Sequence, residues 1–240
     1  MKIMMMHKHS ENTERGVMPP PELFERMGAL IGGAVQSGKL LDGDGLGKTI
    51  HRVRVGFANG VCTVVHGPFT TGHNELPAAF TKVTVKTRDE AIAIAKEIGA
   101  AVGGDIDLEV GKLTEEWDLT GAAPPPGAPE RYLIQQKATA STEKGGVADL
   151  TAVHERLKKS GTFLSAASLL PSREARRLQF QKKKNRVVID GPFTESKEMI
   201  GGFVVMEMES MEAAVAYATE YAEILLLGQD FLELDIRHVR

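Results

Sequence analysis

One cysteine, Cys62, stands in the whole chain of 240 residues. A lone cysteine excludes an internal disulfide and a thiolate-rich zinc site, and it suits a reducing compartment, so a cytoplasmic location is expected. Long apolar runs are missing as well. None approaches the ~20 residues that span a bilayer. The opening Met1-Lys2-Ile3-Met4-Met5-Met6-His7 is too short for a secretory core and meets charge at Lys8. Charge of one sign is also in short supply: the net value is -3, so the chain as a whole is not built to hold a polyanion. What is present is an ordinary globular balance, 42% apolar and 25% charged, which is too apolar and too nearly neutral for intrinsic disorder. The length accommodates two domains of roughly 100–150 residues as well as one large one.

The chain repeats itself. His66-Gly67-Pro68-Phe69-Thr70 returns as Asp190-Gly191-Pro192-Phe193-Thr194, each after a β-branched run. Ser37-Gly38-Lys39-Leu40-Leu41 returns as Ser160-Gly161-Thr162-Phe163-Leu164, and Glu90-Ala91-Ile92-Ala93 as Glu212-Ala213-Ala214-Val215. The offsets stay within 122–124 residues, so one unit is duplicated with only short gaps. Between the copies, Pro124, Pro125, Pro126 and Pro129 make a stiff polyproline spacer. The expected division is residues 1–119, a linker over 120–130, and residues 131–240.

Each copy reads strand, helix, three strands, helix, strand. In the first, residues 2–8 form a short strand. Leu23, Met27, Leu30, Ile31 and Ala34 recur at helical spacing after three prolines suited to a helix start. Val53 and Val55 alternate with Arg52 and Arg54, and Asn59-Gly60 then marks a type I′ hairpin. Residues 80–85 alternate again. Thr87-Arg88-Asp89-Glu90 forms a capping box before Ala91, Ile94, Ala95 and Ile98, and Leu108 and Val110 close with a strand. The second copy follows suit, with a late strand over 203–208 and a helix over 211–222. In that late strand Val204, Met206 and Met208 face one way, Phe203, Val205 and Glu207 the other, and both sets are largely apolar. One face takes the helices and the other needs a partner. The fold class expected is α+β: two tandem ferredoxin-like units packed sheet to sheet as an intramolecular dimeric α+β barrel, with a ligand cleft between the sheets.

The run from Asp190-Gly191-Pro192-Phe193-Thr194-Glu195-Ser196-Lys197-Glu198 to Met199-Ile200-Gly201-Gly202-Phe203 resembles the signature of the YCII-related family, in its DGPF-motif branch. The resemblance extends over both copies. The first departs from the motif: His66 replaces the Asp, Thr71, His73 and Asn74 replace Glu, Lys and Glu, and Leu76-Pro77-Ala78-Ala79-Phe80 replaces the Gly-Gly-Phe stretch. The resemblance implies a dimeric α+β barrel in small bacterial cytoplasmic proteins. In some relatives of the wider superfamily it implies lyase or isomerase chemistry on small ring-derived acids, using a helix-borne His paired with an Asp. The corresponding places here fall near Met27 and Thr151, with His154 about one turn away, so that dyad does not carry over.

Asp190 and His66 are the catalytic candidates; Glu195, Lys197, Glu198 and Phe203 are the ligand-binding candidates. A carboxylate at a strand end beside a lysine suits general-base work, and an imidazole titrates near neutrality. The competing reading makes Asp190 a turn cap that accepts backbone N–H bonds, with the other charges solvated. Asp42-Gly43-Asp44-Gly45-Leu46-Gly47-Lys48-Thr49 imitates a phosphate loop, but Asp42 stands in place of the first Gly and no helix follows; Leu46 and Val53 spoil it as a calcium loop. It reads as a flexible turn. His7 and His9 share a strand face but lack further ligands nearby, so no metal site is expected, nor any cofactor. Cys62 alternates inside a strand and reads as a buried thiol. Arg173, Arg176, Arg177, Lys182, Lys183, Lys184 and Arg186 make a basic hairpin opposed only by Glu174; apart from Phe180 no aromatic residue is interleaved, which favours a solvated edge over nucleic-acid contact. Two readings stand: a protein that binds an unknown small molecule, with lyase- or isomerase-type chemistry left open, or a non-catalytic interaction or regulatory module. The expected pairing is between the repeats, with a higher oligomer left open and no membrane partner.

Overall fold

Strands and helices alternate in the order the periodicity predicts, with short additions. The computed structural model describes residues 1–69, 75–182, 186–193, 196 and 199–240. The first half runs through β1 (Lys2–Lys8), the short α1 (Glu11–Arg15), α2 (Pro21–Gln36), β2 (Leu40–Gly45), β3 (Val53–Ala58), β4 (Val61–His66), β5 (Pro77–Val85), α3 (Arg88–Val102), β6 (Ile106–Lys112) and the short α4 (Glu116–Thr120). The second half runs through β7 (Glu130–Lys137), the short α5 (Ala140–Glu143), α6 (Thr151–Lys159), β8 (Phe163–Ser168), β9 (Arg176–Gln181), β10 (Val187–Asp190), β11 (Ile200–Glu207), α7 (Met211–Leu225) and β12 (Phe231–His238). A single 3-10 turn precedes β3 at Thr49–His51, and another precedes β9 at Ser172–Glu174. Among the described residues no helix is long and apolar enough to cross a membrane.

Local chemistry accounts for the boundaries. Thr87 and Ser210 cap α3 and α7 by accepting the N–H groups of Glu90 and Ala213. The Glu90 carboxylate accepts from Lys86 N–H at 2.9 Å, one residue before the donor a capping box uses. Asn59 and Gly60 both have positive φ, 50° and 77°, as a type I′ turn requires, and β3 and β4 pair from Val53↔His66 to Ala58↔Val61.

The chain forms two compact units, Met1–Gly45 with Leu170–Arg240, and Leu46–Leu169. The first holds an antiparallel six-stranded sheet in the order β10-β9-β12-β1-β11-β2. One face of it carries the helices: Ile3, Met5, Val204, Met206, Leu234 and Ile236 pack with Ala34 of α2 and with Ala214, Ala218 and Tyr221 of α7. Alternation turns Met4, Met6, Phe203 and Val205 to the opposite face, and these are buried too, as both apolar sets of the late strand lead one to expect. The second unit holds a six-stranded sheet in the order β4-β3-β6-β7-β5-β8. There Val53, Val55, Val83, Leu108, Val110 and Ile134 pack with Ile94, Ala95 and Ile98 of α3 and with Val153 and Leu157 of α6.

Neither sheet comes from one continuous half of the sequence. The opening β1, α2 and β2 complete a sheet whose remaining strands, β9 to β12, are the last in the chain; β7 and β8 likewise complete the sheet begun by β3 to β6. The joins are central pairs, β1 with β12 through Met5↔Ile236 and β6 with β7 through Val110↔Ile134. Residues 120–130, the proline-rich stretch, lie inside the second unit.

Two local expectations are corrected. The stretch from Asp42 onward is not a free turn: up to Gly45 it is the edge strand β2, paired with β11. A Cβ on Gly43 would lie 3.1 Å from Val204 Cγ1 and 3.2 Å from the Phe203 carbonyl oxygen, so the small residue is what lets this strand close in. Cys62 is exposed rather than buried, because β4 is an edge strand with nearly every side chain open to solvent.

Candidate functional site

Asp190 ends β10 with an exposed side chain, and its Oδ1 meets Arg176 Nε at 2.8 Å across the β9–β10 hairpin. His66 holds the matching place at the end of β4 and is also exposed. Phe203 is fully buried in β11. Three strands, β9, β12 and β1, separate β10 from β11, so at ~4.8 Å per strand Phe203 stands about 19 Å across the sheet from Asp190. Glu195, Lys197 and Glu198 lie outside the described residues.

The turn after Asp190 is held by a residue the motif does not include. Ser172, in the 3-10 turn before β9, accepts from Phe193 N–H at 3.0 Å and donates its hydroxyl to the Phe193 carbonyl at 3.1 Å. Gly191 N–H reaches the Ala175 carbonyl at 3.1 Å. The backbone bonds expected at the Asp190 carboxylate are thus supplied from the preceding turn. Thr49 does the same before β3, accepting from Phe69 N–H at 3.3 Å, while Gly67 N–H bonds to the Arg52 carbonyl at 3.0 Å. A Cβ at Gly191 would fall 1.8 Å from the Ser172 carbonyl oxygen, and one at Gly67 would fall 1.9 Å from that of Thr49. Only glycine fits at either point. Both Gly-Pro bonds are cis.

The phenylalanine of each Gly-Pro-Phe run lies against an arginine. Phe69 packs on the Arg54 guanidinium at 4.2 Å, and Phe193 on that of Arg177 at 4.3 Å, cation–π contacts in both cases. Each arginine opens a buried ionic cluster on the face of the sheet opposite the helices. In the second unit Arg54 pairs with Glu75, as does Lys137. Arg52 Nη1 donates to Glu109 Oε1 at 3.0 Å, and Lys137 Nζ stands 3.5 Å from Glu109 Oε2. Burial alone would raise the Glu109 carboxyl, but Lys137, Arg52 and Arg54 outweigh it and hold it down at about 2. In the first unit Arg177 grips Asp235 through two bonds, Nε to Oδ1 at 2.7 Å and Nη2 to Oδ2 at 3.0 Å. Lys8 Nζ adds a contact to Asp235 at 2.8 Å and donates to Ser196 Oγ at 2.8 Å. Burial pushes the Asp235 carboxyl up; Lys8 and Arg177 pull it below the usual carboxylate range.

In the second unit's cluster Glu109 Oε2 and Gln135 Oε1 are buried without a hydrogen-bond partner among the described residues. Glu109 and Gln135 are ladder partners on β6 and β7, so the two oxygens belong to neighbouring side chains on one face. The cluster is therefore a set of fixed charges in which Glu109 Oε2 is held by ion pairs alone, with Lys137 at 3.5 Å and Arg54 at 3.8 Å, and Gln135 Oε1 is left over. Sequence reading passed over it because each charged residue alternates with apolar ones, the pattern of a solvated strand face. The available signal was that Gln135, Lys137, Asp235 and Arg237 sit in strands central to their sheets.

The remaining candidates are paired structurally. Burial, with His9 and Lys8 nearby, lowers His7 to about 4, and its Nδ1 accepts from the Tyr221 hydroxyl at 2.9 Å. His9 Nε2 donates to Glu14 at 2.8 Å. His154 meets Thr81 Oγ1 at 3.1 Å. Among the described residues no three of His, Cys, Asp and Glu converge as metal ligands would. The basic stretch finds distant carboxylates: Arg177 takes Asp235, Arg176 takes Asp190, and Lys182 Nζ stands 3.7 Å from Asp230. Lys183 and Lys184 lie outside the described residues.

Against known proteins, the model of the YCII-related domain matches residues 131–224. The match begins in β7 of the second unit and ends in α7 of the first, so the matched stretch contributes strands to both sheets. An uncharacterized protein of Rhizobium meliloti (strain 1021) is 32% identical over 72 residues, 30% of this chain and 57% of that protein. The matching part of this chain thus spans little more than half of that relative. No solved structure matches.

Proposed function

We propose that the chain carries two interleaved copies of one YCII-related unit of the DGPF type, and that it binds a small polar molecule at the charged sheet face built by Arg54, Glu109, Gln135 and Lys137. The duplication is supported by the matched clamps Thr49 and Ser172 and by the matched stacks of Phe69 on Arg54 and Phe193 on Arg177. It is supported too by an exchange of position. Arg52, next to Gly111, donates to the Gly47 carbonyl at 3.0 Å. The first unit has Ala175 where the second has Arg52, and Arg237 two residues past Asp235 as Gly111 is past Glu109; Arg237 donates to the Leu170 carbonyl. The same carbonyl is served from a different strand.

The observation that carries binding is Gln135 Oε1, buried with no hydrogen-bond partner among the described residues, beside Glu109 and the cations that pair with it. A buried acceptor left unpaired costs about 1–3 kcal/mol. A ligand that donates from a hydroxyl or amine and offers a carboxylate to the cations satisfies both sets, which describes a small hydroxy or amino acid. The proposal is of binding: Glu109 at about 2 and His7 at about 4 sit too low to trade protons near neutral pH.

A thermal-shift panel of small hydroxy and amino acids tests this, with the parent beside Gln135→Leu. At a hundredfold excess over Kd a ligand adds about 2.7 kcal/mol, several degrees of melting temperature. The parent should shift with at least one compound and the variant should not. No shift in the parent would favour the rival reading, an interaction module without a ligand, and equal shifts would remove the site from Gln135.

A further inference from the structure

Helix α2 holds Gly28, Gly32 and Gly33 in its interior, each costing on the order of 1 kcal/mol against alanine. A Cβ at any of the three would meet nothing within 4 Å, so the space beside the helix is open. Between α2 and α7, above β11, lies a cavity of about 500 Å³. That is within the range of small-molecule sites, roughly 300–1,000 Å³. Ala34, Leu30, Met206 and Ile224 make its floor apolar, and Arg26, Ser37 and Glu220 also line it.

The cavity has a polar end. The two helices run antiparallel, since Gly228 beyond α7 lies against Leu23 at the start of α2. Tyr217, midway along α7 and two turns before Ile224, therefore shares one end of the cavity with Lys39, which follows α2 and is joined to β11 through Glu207 N–H. The Tyr217 hydroxyl oxygen is buried and has no hydrogen-bond partner among the described residues. Burial and the Glu220 carboxylate push this phenol up to about 12, so it is a donor at every physiological pH. The Lys39 ammonium is half exposed, and its ion pair among the described residues is with Glu209 at 3.5 Å, a contact of little strength. Two donors, one of them cationic, thus stand at one end of a trough with an apolar floor, with Glu220 one turn along α7 and Arg26 on the α2 side. From Tyr217 to Ile224 the trough follows α7 for seven residues, ~10 Å, the length of an extended chain of about eight carbons.

We infer that the groove between α2 and α7 binds a medium-chain monocarboxylic acid, its carboxylate between the Tyr217 hydroxyl and Lys39 and its chain along Met206, Leu30 and Ile224. This site is separate from the charged sheet face. Calorimetric titration of the full chain with octanoate tests it. The parent should bind octanoate, and 1-octanol at least tenfold more weakly. Tyr217→Phe should weaken octanoate about tenfold while leaving the melting temperature unchanged or raised, because the hydroxyl it removes has no partner to lose. Gly33→Leu, whose Cβ would meet nothing within 4 Å, should abolish binding at an unchanged or raised melting temperature. No octanoate binding by the parent, equal affinity for octanol, or full affinity in a folded Tyr217→Phe would each overturn the inference.

Discussion

Glu109→Gln removes one charge from a cluster that is almost wholly buried and leaves its shape intact. In the folded protein Glu109 is held at about 2 against an ordinary 4.5, which at neutral pH corresponds to about 3 kcal/mol of stability. Breaking a buried pair by removing one partner costs about 3–5 kcal/mol, which agrees. The amide adds to the loss, since it brings N–H donors toward Arg52 and Lys137, which are donors themselves. The sign follows from the lowered carboxyl: its contribution is complete above 4.5 and drains away as pH falls toward 2. At pH 3, about 2 of the 3 kcal/mol are gone. Urea unfolding of parent and variant at pH 7 and pH 3 measures this directly. The variant should be about 3 kcal/mol less stable at pH 7, and the gap should shrink by about 2 kcal/mol at pH 3. His7, lowered to about 4, also loses stability as pH falls below 6.5, but it does so in both proteins and drops out of the difference. A gap that is small at pH 7, or that stays the same at both pH values, would refute the assignment of Glu109 as the anionic centre of the cluster.

Ser172→Ala should cost about 1–3 kcal/mol in chemical unfolding, because it strips the Phe193 N–H of its buried acceptor; Thr49→Val, acting on a longer bond, should cost less. Asp190→Ala should leave the unfolding free energy within about 1 kcal/mol of the parent, since its ion pair with Arg176 is solvent-exposed, and a larger loss would restore the aspartate as a structural cap. Expressed alone, residues 46–169 should show sheet and helix by circular dichroism and a cooperative thermal transition, whereas 1–119 should show neither, because it lacks β7 and β8 for one sheet and β9 to β12 for the other.

Most local structure was legible because it depends on neighbours in sequence. Helical spacing, the Thr87 cap and the Asn59-Gly60 turn are short-range signals, and each lies where it was read. The pairing partner of β1 was not legible. β6 and β12 are both central strands with alternating apolar residues, and nothing in Met4, Met5 and Met6 selects Ile236 over Val110. The misreading of Asp42 to Gly45 has a different cause: aspartate and glycine signal turns, yet here the missing side chain of Gly43 makes room for β11. The repeated Gly-Pro-Phe run was recognised, but its work is done through two residues outside the motif: Ser172, a lone serine with no pattern of its own, and Arg177, which reads as one member of a basic hairpin.

The exchange of strands also orders events in time. Lys2–Lys8 and Leu40–Gly45 leave the ribosome early, while their neighbours β11 and β12 come at Ile200–Glu207 and Phe231–His238. From Gly45 to Phe231 is roughly 190 residues, which at 5–20 residues per second means about 10–40 s of synthesis. The unit formed by residues 46–169 can close during that interval, since all its strands have already emerged. The methionine-rich opening strand has no neighbour to pair with until β11 arrives, and its sheet is not complete until β12 does. A holdase that binds short apolar segments should therefore protect nascent chains of this protein at their first residues, and for most of their synthesis.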